Sequence, residues 1–131
     1  MGLDMEAYKV KPVFMVDEDQ QINLEFLNGM PEGSVVEIAY WRKFHHLHGW
    51  MERLYRQKGG DGEFNCNSVR LMPADLLQLA LDAETGLGPT AGFFFGSMEW
   101  DQGCKNNVLD FCVLANQAIT DGYVVFYDSW W

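Results

Sequence analysis

The residues Tyr40, Phe44, Leu47, Met51, Leu54 and Tyr55 recur at the spacing of one face of an α-helix. They follow directly on Val36, Ile38 and Tyr40, which alternate with period two. A repeat near 3.6 residues buries one side of a helix, and a repeat of two buries one side of a strand. The chain is therefore expected to pass from strand to helix near Tyr40 and to leave the helix at Gly59-Gly60-Asp61-Gly62. Two elements that are each apolar on one side are stable only when packed on other elements, which points to a layered fold of sheet and helix.

The remaining segments fit that plan. Leu3, Met5 and Ala7 alternate with Asp4, Glu6 and Tyr8, so a first strand covers residues 2–10, and Pro12 limits its further pairing. Residues 17–34 hold two turn signals and read mostly as loop, with a short alternation from Ile22 to Phe26. Phe64 to Leu71 reads as a third strand. Pro73 suits the first turn of a second helix, and Asp75 favours its positive end. Leu76, Leu77, Leu79, Ala80 and Leu81 make that helix apolar nearly all round, so it is expected to be buried. Thr85-Gly86-Leu87-Gly88-Pro89 breaks the chain, and Phe93-Phe94-Phe95 between Gly92 and Gly96 reads as a buried strand or a tight core segment. A third helix is expected over 105–120 with Val108, Leu109, Cys112, Ala115 and Ile119 inward, ended by Asp121-Gly122. Tyr123–Tyr127 is a terminal strand closed by Ser129-Trp130-Trp131.

The resulting expectation is an α+β fold: one domain over 1–131, with a small mixed β-sheet packed against two or three α-helices. Phe44, Leu47, Met51, Leu76, Leu79, Phe94, Leu109, Cys112 and Val125 should form its core. With 48% hydrophobic residues in 131, a core can form without covalent staples. The three cysteines, Cys66, Cys104 and Cys112, are odd in number and form no CxxC pair. The acidic start Met1–Glu6 has no apolar leader segment, and no apolar run approaches membrane-spanning length. Reduced thiols in a cytoplasmic protein with no membrane partner are the expectation.

Charge narrows the partners. The formal net charge is −10. Sequence-independent nucleic-acid binding needs clustered cations and is not expected of such a surface. Between Tyr40 and Lys58 the balance reverses: five cations (Arg42, Lys43, Arg53, Arg56, Lys58) stand against Glu52 alone, a local +4, which leaves −14 for the rest. Arg42, His45, His46, Arg53 and Arg56 fall off the apolar stripe. One reading is a solvated helix face balanced by acidic loops. The other is a site for an anionic ligand such as a nucleotide, with Arg contacting phosphate and Trp41, Trp50 or Tyr55 stacking a base.

His45-His46-Leu47-His48 suggests a metal, but neighbours on a helix point about 100° apart and no spacing motif supplies further ligands, so no metal and no cofactor is expected. His48 reads as a buried hydrogen-bonded histidine or a general base. No P-loop, GxGxxG or GxSxG motif is present. Glu99 and Asp101 are the nearest carboxylate pair, suited to a basic partner, or simply polar residues leading into a helix. Asn65, Asn67, Asn106 and Asn107 read as turn or cap residues. Trp130-Trp131 is either docked on the core or an interaction anchor.

Four blocks carry a resemblance: the opening Met1-Gly2-Leu3-Asp4-Met5; Ala39-Tyr40-Trp41-Arg42-Lys43 with His48 and Trp50; Pro89-Thr90 with Gly92–Ser97, Glu99 and Asp101; and Tyr127-Asp128-Ser129-Trp130. In this order, and over nearly the whole chain, they are similar to a widespread family of small phage and prophage proteins. The paired His45 and His46 depart from its pattern. Members sometimes carry the label phosphoglycerate kinase, which this chain does not support, being too short for a two-domain kinase and lacking a phosphate-cradling loop. The resemblance implies a bacterial cytoplasm as the setting and no mechanism.

Three functions are consistent with these features. The first is a non-enzymatic binding protein acting on host machinery, for instance in counter-defence, either inhibiting a host protein or sequestering an anionic nucleotide. Its ligand site would be Trp41, Arg42, Lys43, His48 and Trp50, and its partner-binding residues Glu99, Asp101 and Trp130. The second is a small enzyme on a nucleotide or phosphorylated substrate with His48 as acid/base. The third is a structural or assembly homo-oligomer.

Overall fold

The computed structural model describes residues 2–88 and 100–131, and all statements of absence below concern those residues. Strand β1 (Asp4–Val10) runs into a 3-10 turn at Pro12–Phe14. A long connection then leads to β2 (Val35–Arg42), helix α1 (His45–Gln57), β3 (Val69–Leu71), α2 (Pro73–Thr85), α3 (Gln102–Thr120) and β4 (Val124–Trp130). The four strands form one sheet in the order β2-β1-β4-β3, and every pairing is antiparallel. The α+β class is as expected, but among the described residues the sheet is antiparallel and not mixed. Two described helices, α2 and α3, stand between β3 and β4. The chain therefore re-enters the sheet from the end at which it left, whereas a single crossover helix gives a parallel pair.

One face of the sheet carries Met5, Ala7, Trp41, Val69, Leu71, Val125 and Tyr127, all buried in a single cluster with side chains of all three helices. The other face is covered over half its length. The segment after β1 folds back so that Met15 bridges Phe26, and Val10, Met15, Val124 and Phe126 make a second small core. The first and last strands pair along their whole lengths, from Asp4 opposite Trp130 to Val10 opposite Val124.

Several boundaries differ from those expected. Helix α1 begins at His45, not near Tyr40, because β1 holds β2 in register as far as Arg42 and the chain then turns through a left-handed Lys43 (φ 57). Strand β3 is only three residues, since Cys66 adopts a left-handed conformation (φ 61) and its N–H bonds the Ser129 carbonyl. Helix α2 buries Leu76, Leu79 and Ala83 but leaves Leu77 and Leu81 exposed, so it is amphipathic and not enclosed. Helix α3 starts three residues early, at Gln102, because the Asp101 side chain accepts the Cys104 N–H and caps it.

Of the expected core, Phe44, Leu47, Met51, Leu76, Leu79, Cys112 and Val125 are buried, whereas Leu109 is only partly so. Phe94 and the whole Phe93–Phe95 run lie outside the described residues. No disulfide joins the three cysteines. No described helix is long and apolar enough to cross a membrane.

Candidate functional site

The turn from β2 into α1 positions most of the ligand residues expected from the sequence, and it sends them in different directions. Trp41 is on the helix-facing side of β2. It is buried, its ring meets Phe111 edge-on at 4.9 Å, and its Nε1 donates to Asn107 Oδ1 at 2.6 Å. Trp50 is buried between α1 and α2 and donates to Asp82 Oδ2 at 2.9 Å. Tyr55 is buried as well. All three are almost wholly enclosed, so none is free to stack on a nucleobase: aromatic side chains buried with their N–H or O–H bonded are core residues.

Arg42 and Lys43 are exposed, at the end of β2 and in the turn after it. The Arg42 guanidinium lies against Gly2, where an added Cβ would come within 3.0 Å of Nη2. His45 and His46, expected on a cationic face, are buried instead. Their rings stack at 4.5 Å, and His46 Nδ1 lies 3.0 Å from the Leu87 carbonyl oxygen. The cationic face of α1 thus reduces to Arg53 and Arg56, and Arg56 pairs with Glu52 at 3.3 Å. Among the described residues no group of three or more His, Cys, Asp or Glu side chains could hold a metal ion.

His48 is sealed in the main core at 1% exposure. Its Nδ1 lies 2.7 Å from Tyr127 Oη, and its ring rests 5.1 Å from that of Phe64. Burial lowers its pKa to about 4, so the imidazole is neutral at ordinary pH. The same burial raises the Tyr127 phenol well above its usual value. A neutral, enclosed pair of this kind is a core polar contact, not an acid/base couple open to substrate.

The exposed part of the turn borders a cleft of about 410 Å³ between the end of β2 and the start of α3. Tyr40, Arg42, Phe44, Asp101 and Asn107 line it, so Trp41, Arg42 and Asp101 of the expected residues do meet here. Lys43, His48 and Trp50 do not line it. Hydrogen bonds from the Cys104 N–H hold the Asp101 carboxyl below its ordinary pKa, which keeps a negative charge on the helix end. That charge opposes an anionic ligand at this helix N-terminus. Glu99 lies outside the described residues.

A second exposed area was not apparent from the sequence. On the uncovered half of the sheet, Glu6 stands directly opposite Asp128 on β4 and Tyr40 on β2, while Asp4 stands opposite Trp130 and Arg42. Residues directly opposite in an antiparallel pair share a face, so these six side chains form two adjoining rows. The Glu6 carboxyl is raised above its usual pKa by partial burial first, and then by the charges of Glu37, Asp128 and Asp4. Asp128 is raised as well, by burial. The Tyr40 hydroxyl donates to Asp4.

The two terminal tryptophans divide the roles open to them. Trp131 is tied to Asn65, whose Oδ1 accepts its N–H at 3.0 Å, and its indole donates to the Phe64 carbonyl at 3.1 Å. Trp130 lies at the edge of the acidic rows and is 56% exposed. Asp17, Glu18, Asp19, Glu25 and Glu32 are exposed on the segment between β1 and β2, part of which folds over the other half of this same face. The alternation of β1 marks Asp4 and Glu6 as its polar side. That β4 would lie beside them is a long-range pairing with no local signal. Comparison of the chain with family models, with curated proteins and with solved structures finds no match.

Proposed function

We propose that this chain is a small non-enzymatic binding protein that docks a basic protein on the uncovered, acidic half of its sheet. One arrangement carries the reading. Glu6 and Asp128 face each other across two strands, Asp4 and Glu37 act on Glu6, and none of the four belongs to an ion pair among the described residues. Like charges set opposite each other on a sheet destabilise it. A cationic surface docked there removes that repulsion, so the fold's own strain favours the complex. Tyr40 and Trp130 border the carboxylates at 52% and 56% exposure, and exposed aromatics of this kind are common interface anchors. The net charge of −10 steers the molecule toward basic surfaces and away from nucleic acid.

The resemblance to phage and prophage proteins supplies the setting: a bacterial cytoplasm, a host or phage protein as partner, and inhibition of host machinery, for instance in counter-defence, as the effect. Nucleotide sequestration is the weaker form of this reading, because the tryptophans that would stack a base are buried. The test is capture from a bacterial lysate on immobilised protein, wild type against the double variant Glu6→Gln/Asp128→Asn, with circular dichroism to check the fold. Basic proteins should bind the wild type, elute as salt rises from about 50 to about 300 mM, and be missing from the variant. Identical captures by both proteins would overturn the reading.

A further inference from the structure

The sheet has two edges, and they are finished differently. At β3 the outer side is closed: Ile22 bridges Val69, the Asn23 N–H bonds the Ser68 carbonyl at 2.9 Å, and the Arg70 N–H bonds the Gln21 carbonyl at 2.8 Å. At β2 the edge is eight residues long, and among the described residues no strand pairs with its outer side. An open edge of that length offers a row of backbone donors and acceptors to any extended chain.

A groove runs beside this edge. The cleft of about 410 Å³ adjoins a second of about 240 Å³, and the two share Tyr40, Trp41 and Asn107. Together they follow α3 from Asp101 to Leu114, a helical span of roughly 20 Å at 1.5 Å per residue. That length fits about six residues of extended chain. The floor is apolar, with Trp41, Phe44 and Phe111, and exposed Asp110 sits on the α3 rim. A bulge interrupts the register with β1 between Ala39 and Glu37, which leaves Ala39–Arg42 as the regular stretch beside the groove. Bulges blunt edges against open-ended pairing, so the usable template is short and coincides with the groove.

An added strand would show alternate side chains to the two faces. One set would enter the groove and the other would lie over the open face, next to Tyr40 and Arg42 of β2 and, past the bulge, Glu37. We propose that the β2 edge takes an extended segment of a partner protein as a fifth strand. In this segment apolar residues, seated against Phe111 and Leu114, alternate with polar ones over the open face, a basic side chain falling at the Glu37 end and an acidic one beside exposed Arg42. This is strand addition, in which main-chain hydrogen bonds supply affinity and alternate pockets supply specificity. It rests on the protein-docking reading above and names the form of the partner.

The experiment selects binders to the intact protein from a displayed library of random short peptides. It then measures the affinity of the enriched peptides, with and without N-methylation of alternate backbone amides. The expected consensus alternates apolar with polar residues, Lys or Arg at the Glu37 end and Asp or Glu at the Arg42 end. N-methylation in one phase should weaken binding about tenfold or more, the loss of one or more main-chain hydrogen bonds, and the other phase should leave it unchanged. Leu114→Arg, at an exposed position of α3, should abolish binding without unfolding the protein. No enrichment, or peptides indifferent to methylation in both phases, would overturn strand addition. A dimer in light scattering that Leu114→Arg dissociates would overturn it too, by making a second copy the occupant. If basic proteins are still captured by the wild type and lost with Glu6→Gln/Asp128→Asn, the strand proposal fails alone. If that capture also fails, both fall.

Discussion

Acidification should destabilise this fold through His48, and the size of the effect follows from its burial. The imidazole has an ordinary pKa of 6.5 and is lowered by burial to about 4. The unfolded chain therefore takes up a proton that the native core refuses. Stability is unaffected above pH ~6.5, falls as pH drops from there toward about 4, and levels off below, for a total of about 3 kcal/mol from His48 alone. At pH 5 the difference in proton uptake already amounts to about 2 kcal/mol. For a chain of this size that lowers Tm by roughly 6–10 °C. Glu6 and Asp128, whose carboxyls are raised, shift stability the opposite way, since neutralising them relieves a native-state cost. The measurement must therefore compare two proteins. Thermal unfolding at pH 7.5 and 5.0 is followed for the wild type and for His48→Gln, which keeps a polar group near Tyr127 but does not titrate. The other two histidines and all carboxylates are common to both and cancel. The wild type should lose about 2 kcal/mol more than the variant over this interval. Equal losses would refute the enclosed, neutral imidazole.

Further expectations concern the packing. Leu79→Ala, in the buried stripe of α2, should cost about 2–5 kcal/mol in denaturant unfolding, whereas Leu81→Ala, two residues on and on the opposite, exposed side, should stay within about 0.5 kcal/mol. Equal costs would restore the enclosed helix. Lys58→Met should cost about 2–3 kcal/mol, because its ammonium donates to the Asp75 carboxylate at 2.6 Å, the Arg70 carbonyl at 2.7 Å and Gln21 Oε1 at 2.9 Å. Gly60→Ala should prevent stable folding or cost more than about 3 kcal/mol, since its Cβ would fall within the Tyr55 ring; a soluble variant with wild-type Tm would show that the loop can move aside.

Local pattern was sufficient where an element's neighbours agree with it. The alternation of Leu3, Met5 and Ala7 marks β1, and the stripe Phe44, Leu47, Met51 and Leu54 marks the buried side of α1, because burial of a half-apolar element depends mainly on its own periodicity. Tyr40 shows the limit. It fits both the period of two before it and the helical period after it, and only the pairing of Glu6 with Tyr40 and Asp4 with Arg42 assigns it to the strand. Leu77 and Leu81 show the same limit, since composition could not say which sides of α2 would find neighbours.

The candidate site was legible in its parts and not in its assembly. Exposed Arg42 and Trp130 and the polar side of β1 were visible as residues, but Trp41 and Trp50, which look alike in sequence to stacking surfaces, are core side chains with bonded indoles. The acidic rows exist because β4 lies between β1 and β3, which brings Asp128 opposite Glu6 across 122 positions of chain. The amino-acid sequence by itself determined the class of fold, the buried stripes and the acidic balance, since these depend on short-range period and composition. Only the tertiary structure decided strand order, the place of β2 at the edge of the described sheet and the meeting of Glu6 with Asp128. A contact between distant segments is set by the whole packed core and leaves no mark on either segment alone.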